Sequence, residues 1–432
     1  MNNQKSTVLE VLQQQFTELE RQMNGEANST THMARKSAFK SFKEIGLPGR
    51  KNEEYKYTPL AKQLDKHFEN FIANPNEAEI RVDKSMIPDL DGSLIVFING
   101  SYHQELSSIK AEEGLEIAIA TSQSELSESS LSNGLTGDAF LGLNMALASS
   151  GVNISVSKGA VIQNPVNILH LTNSEHGRVL STPRHEIAIG ENAQATVTEI
   201  FIGTGRHSSF TNSAMTIKIA ANGLLNYYKI GIDGESDLRI DNTTCIQKEK
   251  SVINSMNINF GGKLIRNNLN LIVDGEYCET NLDGLYIPAA DGIIDNHTIV
   301  DHKAPNCNSS ELYKGIIGAR ATGVFNGKVF VRKGAQKTNA FQANKNILLS
   351  DTATINTKPQ LEIWADDVKC SHGCTTGQMD NEQLFYLRAR GIDKANAQKL
   401  LLKAFAEEVI SKIKNDKLRA RVATILEGKL EQ

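Results

Sequence analysis

Apolar residues open the chain at helical spacing: Val8, Leu9, Val11, Leu12, Phe16 and Leu19 share one face of a segment from Ser6 to Met23. A second helical pattern covers Met33 to Ile45, where Gly46 and Pro48 stop it. Next comes "GRKNEEYKYTPL", in which adjacent acids, bases and tyrosines precede Pro59. Roughly the first 85 residues therefore read as a mostly helical unit. From Ser93 to about Cys370 the pattern changes to short β-branched runs punctuated by Gly and Asn, such as "LIVFING", "NISVSKG" and "HEIAIGENAQATVTEIFIG". Helical spacing is almost absent there, so this stretch predicts one large all-β unit.

A weak self-similarity runs through that unit. Ile154-x-Val156, Ile187-x-Ile189 and Ile217-x-Ile219 recur at intervals of 33 and 30 residues, each followed three residues later by Gly159, Asn192 or Asn222. Such intervals suit a solenoid whose strands stack in parallel, with Gly and Asn at corners that need positive φ. An antiparallel sandwich is the competing architecture, and it predicts tight hairpins such as Asn99-Gly100 throughout.

Helical patterning returns at the end. Asp380 with Gln383 forms a capping signal before "QLFYLRAR", Gly391 ends that helix and Asp393 caps the next. Ala397, Leu400, Leu401, Ala404, Phe405, Ile410 and Ile413 then make an apolar stripe from Ala397 to Lys414, and "KLRARVATILEGKL" adds a short helix. A helical hairpin of this kind buries its stripe either on the β-unit or on another protein. The organisation expected is thus a helical domain at 1–90, a β core at 91–376 and a helical domain at 377–432.

Composition narrows the function classes. The net charge of −4 is no basis for expecting a nucleic-acid or anionic-membrane partner. No run approaches the ~18 apolar residues that a membrane span requires. The N-terminus, with Glu10, Glu18 and Glu20, has neither the apolar core of a signal peptide nor the acid-free bias of a transit peptide, so a cytoplasmic protein is expected. "RKGAQKTNA" has Lys-Thr without the glycines of a phosphate-binding loop, so ATP chemistry would come from a partner.

The chemistry-bearing stretch is "DDVKCSHGCTTG", where Cys370, His372 and Cys374 alternate. On an extended chain the three side chains point to one face, and thiolate with imidazole selects Zn, Cu(I) or Fe–S species. Three ligands leave a four-coordinate site incomplete, with Cys307 or His302 as internal candidates for the fourth. Gly373 and Gly377 equally suit a turn with inert thiols beside it. A Cys-His nucleophile lacks an evident third member, and the adjacent Asp366 and Asp367 would face opposite sides of a strand, which is wrong for a glycosidase pair. Cys245 and Cys278 have no ligand types near them in the sequence and read as small buried hydrophobes.

At this point the residues carry a resemblance. The run from Gly323 to Ile392, which contains "KCSHG", closely resembles the SufB/SufD family of iron–sulfur cluster assembly proteins; "RKNEEYKYTPL" and "NCNSSELYKG" fit it too. "KCSHG" and the modest length look like the SufD branch. The resemblance implies a mainly β fold, a right-handed parallel β-helix between helical ends. It implies a non-catalytic scaffold of the SufBCD complex, pairing with a SufB-like homologue through the β-helix. The C-terminal helices would dock the ABC ATPase SufC, with Leu400, Leu401, Ala404 and Phe405 as docking residues. His372 matches the family's SufD histidine at the subunit interface, opposite a cysteine of SufB, and Cys370 matches the cysteine two places before it. Cys374 departs from the pattern, where a small residue is expected. The isolated chain is expected to hold no resident metal or cofactor, only a transient Fe–S cluster once in the complex, and to be capable of pairing with itself. A self-contained metal or redox module using Cys370, His372 and Cys374 is the alternative.

Overall fold

A computed structural model describes residues 7–22, 29–49, 51–67, 87–121 and 138–431. The core is a parallel β-solenoid of about eight turns, with strands making up 45% of the chain. Two sheets wrap one lumen, one of ten strands and one of eleven, and almost every neighbouring pair within them is parallel. The tight hairpin at Asn99-Gly100 exists, pairing Phe97 with Tyr102, but it belongs to the first strand only. Stacked parallel turns, and not a sandwich, carry the fold.

The repeat seen in the sequence is the stacking register itself. Ile154 lies on Ile187 and Ile187 on Ile217, while Val156 lies on Ile189 and Ile189 on Ile219. All six line the apolar part of the lumen. The corners after these strands are left-handed, at φ 75° for Gly159 and 57° for both Asn192 and Asn222. The series continues through Lys250, Tyr277, Asn306 and Lys337, at φ 56°, 59°, 61° and 59°. Each corner donates its N–H to a carbonyl of the next turn, as Asn222 does to Glu249 and Lys250 to Glu276. Those inter-turn bonds hold even bulky residues in a region that costs an L-residue about 1–2 kcal/mol. Tyr277→Gly, at an exposed corner, is therefore expected to raise the urea midpoint, by about 1 kcal/mol of stability. An unchanged midpoint would mean that the corner is not strained.

Both outer faces of the solenoid are clad. The N-terminal helices Val8–Gln22, Thr30–Ile45 and Leu60–His67 pack with the helix Ala139–Leu147 over Phe210, Leu238, Ile240 and Leu264 of the eleven-stranded sheet. The helix Ala139–Leu147 lies inside the stretch that predicted strands alone. All nine of its residues are buried, so it carries no polar face and hence no helical periodicity to read. On the other side, the C-terminal helices Lys394–Ile410 and Asp416–Leu430 cover Tyr228, Ile258, Leu285 and Ile316 of the ten-stranded sheet. The expected boundary near residue 90 borders residues outside the described ones. The expected C-terminal boundary falls within one residue of the end of the last strand, Val368–Gly377.

The charged "NEEYKY" stretch turns out to be a clamp. Asn52 caps a single turn, Glu53–Tyr55, by accepting from Glu54 N at 3.1 Å. Tyr55 is buried, donates to Asp138 at 3.0 Å and lies under the Arg266 guanidinium, 3.8 Å from its ring centre. Arg266 also donates to the Glu54 carbonyl at 2.8 Å and pairs with Asp295 at 2.6 Å. The Glu54 carboxylate meets His297 at 3.3 Å, Asn326 at 3.2 Å and Lys328; Glu53 meets Lys358, and Thr58 donates to Asp295.

The bond from His297, followed by that from Lys328, holds the Glu54 carboxyl at about 2 against its ordinary 4.5. A depressed carboxyl stabilises the fold above its unfolded value and loses that contribution as pH falls from 4.5 towards 2. Amide protection across Glu53–Thr58, corrected for intrinsic exchange, is therefore expected to fall in this window. Glu54→Gln should remove the acid dependence, and a profile identical in both proteins would assign the loosening to other groups.

The open end of the solenoid as a candidate functional site

The strand Val368–Gly377 is the last of the ten-stranded sheet. One edge pairs in parallel with Thr338–Leu348, and the other pairs with no strand among the described residues. Gly373 and Gly377, which also suited a turn, lie inside this strand with open space around them. The register sets Cys370 over Ala340, His372 over Gln342 and Cys374 over Asn344. All three lower residues are buried in the lumen column, so Cys370, His372 and Cys374 continue that column where no further turn among the described residues covers it. The alternation of a strand puts the thiols and the imidazole on one inward face, and the missing turn leaves that face open.

Cys370 is half-buried against the apolar lumen, and burial pushes its thiol above the usual range. His372 and Cys374 are exposed. Cys374 Sγ lies 3.1 Å from Thr357 Oγ1, contributed by the facing sheet. The floor beneath them is polar. Gln342 donates to Glu311 at 2.6 Å, and Asn344 donates to the Tyr286 hydroxyl at 3.2 Å and to the Tyr313 carbonyl at 3.1 Å. Burial lifts the Glu311 carboxyl to about 7. These floor residues were missed in the sequence, which holds no local signal for them. They lie in earlier turns and meet the site only through stacking.

The face is shared, but the three donors do not converge on one point. Alternate residues on a strand stand roughly 6.6 Å apart, too far for three of them to bond one ion at about 2.0–2.3 Å each. Among the described residues the one set of three donors gathered closely is His170, His185 and Glu199, all buried elsewhere in the lumen and within 4.8 Å of one another. The internal candidates for a fourth ligand do not join either. Cys307 immediately precedes Asn308, which stacks beneath Asn339 and so beneath Lys369, and His302 lies beneath Val331 and Ile363. Both are two strands down, about 10 Å at the spacing of neighbouring strands, and His302 is bonded to Ser309 at 2.9 Å. Among the described residues these three donors therefore do not make a complete metal site. Cys245 and Cys278 are buried, as read from the sequence.

The second region singled out by sequence divides in two. On the helix Lys394–Ile410 and just beyond it, Leu402, Ala406, Val409, Ile410 and Ile413 are buried in the cluster on the β-core, and Ala397 is buried as well. Leu400 and Ala404 are exposed, while Leu401 and Phe405 are half-buried. Phe405 is held from below by Lys314, whose ammonium donates to its carbonyl at 2.7 Å and lies 4.1 Å from its ring. The neighbouring helix, Asn381–Ala389, is capped by Asp380 as expected and buries none of its residues. Its Phe385 and Tyr386 are 73% and 57% exposed. Sequence reading missed both as candidate contacts, although "QLFYLRAR" contains a visible aromatic pair.

Comparison with known proteins agrees with this architecture. Residues 170–405 match the SufBD core domain of SUF-system FeS cluster assembly, and residues 7–168 match the SufBD protein N-terminal region. The iron–sulfur cluster assembly protein SufD of Escherichia coli is 33% identical over 379 residues, covering 87% of this chain and 88% of its own. An iron–sulfur cluster assembly SufBD family protein of Synechocystis is 30% identical over 418 residues, covering 93% and 91%. Protein ABCI7, chloroplastic, of Arabidopsis thaliana is 32% identical over 305 residues, covering 68% and 64%. No described helix is long and apolar enough to cross a membrane. A stacked-strand core, an open last turn bearing His372 and matches along nearly the whole chain lead to one conclusion: this protein belongs to the SufBD family of SUF-system iron–sulfur cluster assembly proteins, on its SufD branch.

Proposed function

We propose that the chain is the non-catalytic SufD-type scaffold of a complex with a SufB-like homologue and a SufC-like ABC ATPase. In this reading an iron–sulfur cluster is cargo, built where the two related subunits meet. The observation that carries the proposal is the unpaired edge of Val368–Gly377, with His372 exposed on its inward face. A long unpaired edge is a template for another strand. A related β-helix docked there would cover the edge and bring its own ligands to a set that is partial here. A cluster held partly by imidazole and shared by two chains has fewer thiolate bonds, so a change in subunit geometry alters its ligation. In isolation the same edge would accept a second copy of the chain.

The ATPase is assigned to the outer side of the C-terminal helices, where Leu400, Ala404, Phe385 and Tyr386 are exposed beside Leu401 and Phe405. ATP hydrolysis in that partner would drive rearrangement of the scaffold interface. Pull-down of an ABC ATPase is expected with the full chain and is expected to fail with the Phe385→Ala/Leu400→Ala double variant. Equal recovery would place the docking site elsewhere. The decisive test of the site is anaerobic reconstitution of the three-protein complex with His372→Ala. Cluster yield is expected to drop at least about tenfold while the complex still elutes intact, and an undiminished yield would refute the assignment.

A further inference from the structure

In a parallel solenoid the group beneath a side chain on the last turn comes from the turn before. Beneath His372 it is Gln342, and beneath Gln342 it is Glu311. The Gln342 side chain is 3% exposed and donates from Nε2 to Glu311 Oε2 at 2.6 Å. Its Oε1 is buried with no hydrogen-bond partner among the described residues. Buried acceptors are nearly always matched, so an unmatched one calls for a physical reason. Turning the amide over sets a carbonyl oxygen against the Glu311 carboxyl, which can donate to it only while that acid, raised to about 7, keeps its proton. On its far side the amide packs close against Gly327, where an added Cβ would lie 2.0 Å from Gln342 Nε2. The layer above can supply a donor, since the register sets His372 over Gln342, its ring exposed and not bonded to the amide in this structure.

We propose that Gln342 is a positioning residue for His372: its buried Oε1 accepts the lumen-side N–H of the imidazole and leaves the outer ring nitrogen as a lone pair facing the open end. A neutral imidazole carries one proton, so the nitrogen that donates decides which nitrogen is free to bond a metal. The Gln342–Glu311 bond fixes the amide, and the amide fixes which nitrogen of the neutral ring faces an incoming iron. This inference rests on reading His372 as the cluster-contacting residue, but its readout does not require a cluster. The rival donor is Thr298, whose buried hydroxyl stands beside the Glu311 carboxyl and which the register sets next to Gly327.

The test uses the full chain without cluster, nitrogen-labelled at histidine, at about pH 8, where an unperturbed imidazole is neutral. Long-range proton–nitrogen correlation reads the tautomer, and the His372 signals are those missing from His372→Ala. A single His372 tautomer is expected in the unaltered protein. In Gln342→Met both ring nitrogens are expected to move to the averaged shifts of free histidine, and Thr298→Val should leave them in place. An averaged pair in the unaltered protein overturns the proposal, and this arm holds even if Gln342→Met does not fold. So do an unmoved spectrum in folded Gln342→Met and a response to Thr298→Val alone. A tautomer that responds to Gln342→Met while His372→Ala leaves cluster yield intact would refute the cluster assignment and keep the positioning role.

Discussion

Arg266→Ala is expected to lower the unfolding free energy by about 3–5 kcal/mol, the range for removing one partner of a buried pair. Arg266 is 2% exposed and Asp295, its partner at 2.6 Å, is fully buried. The Asp295 carboxyl lies well below the ordinary carboxylate range although burial opposes it, because His297 and Arg266 stand beside it. Without the guanidinium that charge keeps only His297 and the Thr58 hydroxyl. The Tyr55 ring loses its cover and the Glu54 carbonyl loses its donor. The N-terminal unit is therefore expected to loosen with the core. Arg266→Lys keeps the charge without the flat stacking surface and the forked donors, and should recover less than half of the loss. Urea unfolding followed by circular dichroism measures both. A loss below about 1 kcal/mol for the alanine variant, the range of an exposed ion pair, would mean that water reaches Asp295.

Lys229→Met should be comparably severe, at about 3–5 kcal/mol, because it too removes a buried cation and leaves carboxylates behind. Lys229 lies inside the lumen at 3% exposure, in contact with Asp241, with Glu199 at 3.3 Å and with the Thr243 hydroxyl at 2.8 Å. Glu199 also accepts from Tyr227 and meets His170 at 3.3 Å, while Asp241 accepts from Ser213 at 2.7 Å. Methionine fills the stem's volume but leaves two carboxylates facing each other without their shared cation. One of them is expected to take up a proton. Stability of the variant should then improve as pH falls from about 7 to 5, because carboxyls raised in the fold bind a proton more readily there than when unfolded. Replacing Lys229, Glu199 and Asp241 together by apolar residues removes the charges instead of orphaning them, and should be less damaging than Lys229→Met alone. A single variant no less stable than the parent, with no new acid stabilisation, would show that the cluster does not depend on its lysine.

The legible parts of this protein were those written in short-range pattern. The stacked isoleucines at 154, 187 and 217 predicted neighbouring turns because one lumen column repeats at the turn length. Gly159, Asn192 and Asn222 predicted left-handed corners because those residue types tolerate positive φ. Lys250, Tyr277 and Lys337 adopt the same geometry without announcing it, since inter-turn hydrogen bonds and not side-chain preference hold them. The helix Ala139–Leu147 was hidden for a different reason: buried on every side, it has no polar face. The apolar stripe through Leu400 and Phe405 was read as one surface and is two. Helical spacing reports that residues are apolar, whereas the sheet beneath decides which of them it covers.

For the candidate site the division is similar. "KCSHG" with strand alternation placed Cys370 and His372 on one face, and resemblance supplied the family. Neither could show that this strand is the last of its sheet, or that no other described turn roofs its inward face. The alternating donors also looked like a metal site until strand spacing kept them apart. What the sequence determined by itself was the class of fold, the corners with suitable residue types and the identity of the exposed histidine, because each follows from a few neighbouring residues. What the tertiary structure alone decided was the clamp of Glu54 on Lys328, the charges around Lys229 and the Gln342–Glu311 floor under His372. Those contacts join residues far apart in the chain, and only the register of stacked turns brings them within bonding distance.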